Sequence, residues 1–183
     1  MKKNIALNSK TSNVPETKEE FSQAFLQVLV SGDVCALKQF LDRYTALYFI
    51  RFNKSLLSLT YTHYARRRPF MTAWSSFPLE GWRKYEGYNA LMVAITYDYA
   101  EIAQALISRG ININYMNNDN LQALEVAVHF GSVNTLSVLL KNGANVNFLD
   151  RNGCSMLGLV AGDELGISDP QKLSVAKVLI YHG

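Results

Sequence analysis

Histidine is scarce in this chain. His63, His129 and His182 are the only ones, and none stands at ligand spacing with a cysteine or an aspartate, so no metal is expected. Cysteine is scarcer still: Cys35 and Cys154 lie far apart in no paired motif, which fits a reducing compartment and two free thiols. The glycines are spread one per turn, and no glycine-rich loop is present to cradle a phosphate. No apolar run approaches the ~18 residues that a membrane span needs. The N-terminal stretch, residues 1–7, is basic but has no apolar segment of secretory length. His129 and Cys154 could meet as base and nucleophile, yet the sequence supplies neither an orienting group nor an oxyanion donor. The chain therefore reads as a non-enzyme that needs no cofactor.

Charge is also thin. Charged residues make up 18% of the chain and hydrophobic ones 49%, which excludes a largely disordered polymer and leaves enough apolar material for one domain with a core. The net charge of +3 is unevenly held. Residues 45–84 carry Arg51, Lys54, Arg66, Arg67, Arg68, Arg83 and Lys84 against Glu80 alone, a local +6 that leaves −3 for the rest.

What the chain does have is one pattern written twice. Gly87-Tyr88-Asn89-Ala90-Leu91-Met92-Val93-Ala94 is followed by Ile102, Leu106-Ile107, Gly110 and Asn114. Asn120-Leu121-Gln122-Ala123-Leu124-Glu125-Val126-Ala127 is followed by Thr135, Leu139-Leu140, Gly143 and Asn147. The steps from Leu91 to Leu124, Ala94 to Ala127, Gly110 to Gly143 and Asn114 to Asn147 are all the same, thirty-three places along the chain. A third copy starts on time, with Leu157 lying one such step after Leu124. A fixed period of this size marks a stacked solenoid, whose core is a seam because each unit buries its apolar face against its neighbours.

These residues resemble the ankyrin repeat. Its helix start appears as Gln122-Ala123-Leu124-Glu125-Val126-Ala127, its leucine pair as Leu139-Leu140, and its closing loop as Gly143-Ala144-Asn145-Val146-Asn147. The resemblance implies an all-α solenoid of antiparallel helix pairs with short finger loops. It also implies a protein-binding module without chemistry of its own.

Taken in order, residues 1–18 read as a mobile polar tail. Residues 19–44 read as an N-terminal cap repeat: Phe21, Phe25, Val28 and Leu29 recur at helical spacing, Gly32 stops the run, and Asp33 can cap the next helix. Gly32 lies three periods before Gly131, which leaves room for a divergent basic and aromatic repeat over 45–84. The clear repeats follow at 85–117, 118–150 and 151–183. The last has a longer turn, since Gly183 follows Gly143 by more than one period. Helix pairs are expected to start near residues 20, 54, 88, 121 and 154. The pattern stops where Ala-x-Val-Asn would continue it, so the array is expected to extend beyond Gly183.

The resemblance further implies binding through finger tips and the face of the first helices. Tyr85, Tyr88, Tyr97, Tyr115, Leu121, Phe130, Phe148 and Trp82 are candidate partner contacts, because the seam does not need them and exposed aromatics commonly anchor interfaces. Met116 and Leu149 follow the finger asparagines and belong to the same surface. Arg66, Arg67 and Arg68 form a basic patch suited to an acidic protein or to a solvated turn; nucleic acid is the less favoured reading.

The expected function is protein–protein interaction by a monomeric cytoplasmic chain. One alternative is a targeting module for a catalytic domain beyond Gly183; another is nucleic-acid binding through 45–84. The Lys-, Asn-, Ile- and Tyr-rich composition suggests an AT-rich genome, and the departures from the repeat pattern resemble eukaryote-like ankyrin effectors that intracellular bacteria deliver into host cytoplasm or nucleus. That style makes a host protein a candidate partner.

Overall fold

Thr17 opens the first helix. Its hydroxyl accepts the N–H of Glu20 at 3.2 Å while the Glu20 carboxylate accepts the N–H of Thr17 at 3.5 Å, so two otherwise orphaned donors are satisfied reciprocally. The structure, a computed structural model, describes residues 14–52, 87–117, 119–162 and 165–183. Among these it forms eight α-helices: α1 (Lys18–Ser31), α2 (Val34–Phe52), α3 (Ala90–Thr96), α4 (Ala100–Ser108), α5 (Ala123–Phe130), α6 (Val133–Lys141), α7 (Met156–Ala161) and α8 (Asp169–His182). The expected starts near 20, 88, 121 and 154 are met within two residues; the one near 54, like the tail over 1–13, lies outside the described residues.

The helices pair as α1–α2, α3–α4, α5–α6 and α7–α8, and the pairs stack in one direction. The first helices form one row, α1 on α3, α3 on α5 and α5 on α7. The second helices form the other, α2 on α4, α4 on α6 and α6 on α8. Between the rows runs the seam. Phe21, Phe25 and Leu29 of α1, four residues apart, are fully buried, and Leu91, Ala94, Leu106, Leu124, Ala127 and Leu139 continue the same core. Each fully buried leucine contributes about 1.5–3 kcal/mol. The surface ion pair between Arg109 and Asp42 at 2.6 Å, with the Asp42 side chain 67% exposed, contributes about 0–1 kcal/mol. Apolar burial therefore holds the stack, and the ion pair adds little.

The N-terminal pair sits directly on α3–α4. Tyr99 donates its hydroxyl to the Val30 carbonyl at 3.4 Å, Arg109 reaches Asp42, and a Cβ at Gly32 would stand 3.0 Å from the Tyr99 ring. Gly32 has φ 72°, so glycine there answers both the left-handed turn and the close ring. This contact corrects the reading of 45–84 as a repeat stacked between the cap and the 85–117 repeat. A second correction concerns its boundary: α2 does not end near 44 but continues to Phe52. The remainder of that segment lies outside the described residues.

Asp33 caps α2 as expected, accepting the N–H groups of Cys35 and Ala36 at 2.8 and 3.0 Å. In the last pair the longer turn is packed: Leu165 is buried, Ile167 lies against Gly131, and Lys172 donates to the Gly162 carbonyl at 2.9 Å. Cys35 and Cys154 are both exposed free thiols. No described helix is long and apolar enough to cross a membrane.

Candidate protein-binding surface

The finger loops are built on short polar side chains that accept backbone donors. Asn112 accepts the N–H of Asn114 at 3.0 Å, and Asn145 accepts that of Asn147 at 3.1 Å. At the tips, Asn117 Oδ1 accepts the N–H groups of Asp119 and Leu121 at 3.0 and 2.9 Å. One period later, Asp150 Oδ1 accepts those of Asn152 and Cys154 at 2.9 and 2.7 Å. Both acceptors are buried, which fixes the tips rather than leaving them to water. An antiparallel bridge closes each finger, Met116 to Gln122 and Leu149 to Ser155.

This frame sets out the candidate residues unequally. Met116 and Leu149 hold the same position in adjacent fingers and are 45% and 54% exposed. Tyr115 and Phe148, one residue earlier, are half-buried against the core, and the Tyr115 hydroxyl donates to the Gly87 carbonyl at 3.2 Å. Leu121 and Phe130 are also half-buried and packed on the core. Tyr97 is half-buried and stacks on Tyr99 with ring centroids 5.4 Å apart. Burial raises the Tyr97 phenol well above its ordinary range, with Tyr99 beside it adding to the shift, and burial raises Tyr115 too.

Tyr88 is a correction. It was expected at the surface, but it is 5% exposed and part of the core cluster. The equivalent positions show why the repeat pattern misled. Tyr88, Leu121 and Cys154 follow one another at the repeat period and grade from buried through half-buried to exposed, so the position tolerates any environment and the large ring uses it to pack. Tyr85, Trp82, Arg66, Arg67 and Arg68 lie outside the described residues.

Cys154 and Asp150 meet through the backbone, the Cys154 N–H serving as a finger donor. His129, 37% exposed at its side chain, lies 3.6 Å from Glu125, a buried carboxylate on the same helix. Among the described residues no group of three or more His, Cys, Asp or Glu is placed to hold a metal ion.

No curated protein matches the chain. A family model for ankyrin repeats matches residues 25–150 as three copies, a stretch that begins within α1 and runs past the end of α6. That match covers more than half of the 183 residues, and the fold it describes is the one seen: the chain belongs to the ankyrin-repeat family, whose arrays are protein-interaction modules and generally carry no catalysis.

Proposed function

We propose that the chain binds a partner protein through the fingers that carry Met116 and Leu149. The observation that supports this is their paired exposure at equivalent positions of rigid, side-chain-braced loops. Large apolar groups held out into water gain nothing for the fold, and such groups are the kind of anchor an apolar or aromatic partner residue fits. Tyr115, Leu121 and Phe148 are each half-buried and packed on the core, so they supply less reach than the exposed pair.

Affinity capture on the immobilised chain tests this. The Met116→Ser/Leu149→Ser pair is expected to lose the partner retained by the unaltered chain while its thermal melt stays nearly the same. Retention of the same partner by the altered chain would move the interface elsewhere. Salt separates the reading from nucleic-acid binding through 45–84. An apolar finger contact should tolerate a rise in salt, whereas phosphate contacts weaken steeply with it.

A further inference from the structure

The described methionines divide sharply by burial. Met92 in α3 and Met156 at the start of α7 are 0% and 1% exposed, whereas Met116 on its finger is 45% exposed. A thioether sulfur carries no proton at any ordinary pH, so access to the oxidant sets how fast it is oxidised. A peroxide reaches Met92 or Met156 only when its repeat opens locally, and it reaches Met116 in the closed fold.

The finger does not depend on this side chain for its shape. On one side the Tyr115 hydroxyl is tied to the Gly87 carbonyl; on the other Asn117 Oδ1 holds the N–H groups of Asp119 and Leu121. Met116 itself takes part in the bridge to Gln122 through its backbone. In the next finger the equivalent residue is Leu149, equally apolar and with no sulfur to oxidise. Two fingers alike in shape therefore differ in one reactive atom.

We propose that Met116 is a reversible oxidation site, at which a peroxide converts one apolar finger tip into a polar one. A sulfur lone pair forms the S–O bond as the O–O bond of hydrogen peroxide breaks, and the second oxygen leaves as water. Sulfur is oxidised to the sulfoxide and peroxide is reduced. Thiol-dependent sulfoxide reductases reverse the step, two thiols becoming a disulfide while the oxygen departs as water. The sulfoxide oxygen is a strong acceptor that holds water, so Met116 stops being an apolar anchor while Leu149 remains one. The consequence for a partner rests on the finger reading above; the oxidation site does not.

The full chain in a Cys35→Ser/Cys154→Ser background, treated with dilute hydrogen peroxide, tests this by peptide mass spectrometry. Met116 should gain one oxygen more than about tenfold faster than Met92 and Met156, with helical circular dichroism intact. Reductases for the two sulfoxide epimers should remove it. The oxidised chain should leave a phenyl column earlier than the untreated one. A Met116→Leu chain should shift less under the same treatment, which separates Met116 from Met1 and Met71. Equal rates at the three methionines overturn the proposal, as does oxidation of Met116 only with loss of helix. So does a sulfoxide that the reductases leave in place, or a column shift that Met116→Leu does not reduce. Failure of the finger reading is seen separately, in partner capture by the unoxidised Met116→Ser/Leu149→Ser chain.

Discussion

The carboxylate of Asp98 caps a helix in the next repeat: its Oδ1 accepts both the N–H of Thr135 at 2.9 Å and the Thr135 hydroxyl at 3.1 Å. Its Oδ2 accepts from Asn134 at 2.7 Å. The residue at the N-cap of α6, Ser132, makes no side-chain cap, because its hydroxyl is turned back to the Ile95 carbonyl at 2.7 Å. Neighbouring repeats thus exchange polar contacts, Asp98 forward to α6 and Ser132 back to α3.

Asp98 also adopts φ 52°, a left-handed conformation that costs an L-residue about 1–2 kcal/mol. Two effects are separable by substitution. Asp98→Ala should lose the cap and keep the strain, and so destabilise by about 1–2 kcal/mol. Asp98→Gly should lose the cap and relieve the strain, and so fall short of the alanine loss by about 1 kcal/mol. Urea unfolding of the two variants checks the order. Equal losses would mean that the turn is not strained.

Direct stacking of α1–α2 on α3–α4 makes a second prediction. Gly32 and Asp98 are equivalent turns one step apart in the stack but two periods apart in sequence, while Asp98 and Gly131 are one period apart in both. The segment 53–86, which follows α2, is also much longer than 109–119, which follows α4. Replacing 53–86 with a copy of 109–119 should leave a single cooperative thermal transition. An array that loses its helical signal after this exchange would show that the stacking of the N-terminal pair depends on the longer segment.

That spacing also explains where sequence reasoning succeeded and where it did not. The seam was legible because Leu91, Leu124 and Leu157 recur at one period, and Asp33 was legible as a cap because capping acts over three residues. The place of 45–84 was not, because extra length of one whole period preserves phase, and phase is all that a repeat count measures. Tyr88 escaped for a different reason. Periodicity says which positions the seam requires, not which others a large ring can fill. The Asp98–Thr135 cap joins residues 37 positions apart and leaves no local pattern at all. Of the finger surface, Tyr115 and Phe148 were marked as anchors, while Met116 and Leu149 beside them are the ones held out.

Alkaline pH should weaken the fold. The raised Tyr97 and Tyr115 phenols keep their protons in the folded chain above the pH near 10.0 at which an unburied phenol loses its own. Their contribution is complete below that pH, and it is lost as pH climbs from there toward the folded values, because the unfolded chain then binds fewer protons. Stability measured by urea should hold from pH 8 to 9 and then decline through pH about 11. Tyr97→Phe should flatten the decline, since Tyr97 carries the larger shift and phenylalanine has no proton to lose. An unchanged slope in that variant would assign the alkaline loss to other groups.

The last prediction sets Tyr88 against the finger pair. Tyr88→Ala removes a ring that is 5% exposed and leaves a cavity beside α3, so it should destabilise by about 3–5 kcal/mol, as aromatic truncations in cores do. Met116→Ser and Leu149→Ser remove side chains about half in water and should cost far less, within roughly 1 kcal/mol each. Partner binding should divide the other way. The finger pair should lose a hot-spot amount, on the order of 2 kcal/mol or more. Tyr88→Phe, which keeps the packing, should bind nearly as the unaltered chain does. The comparison is made at a temperature where every variant is folded, so that lost binding is not lost structure. Weak binding by a folded Tyr88→Phe chain would return the phenol of Tyr88 to the interface. Full binding by the finger pair would remove Met116 and Leu149 from it.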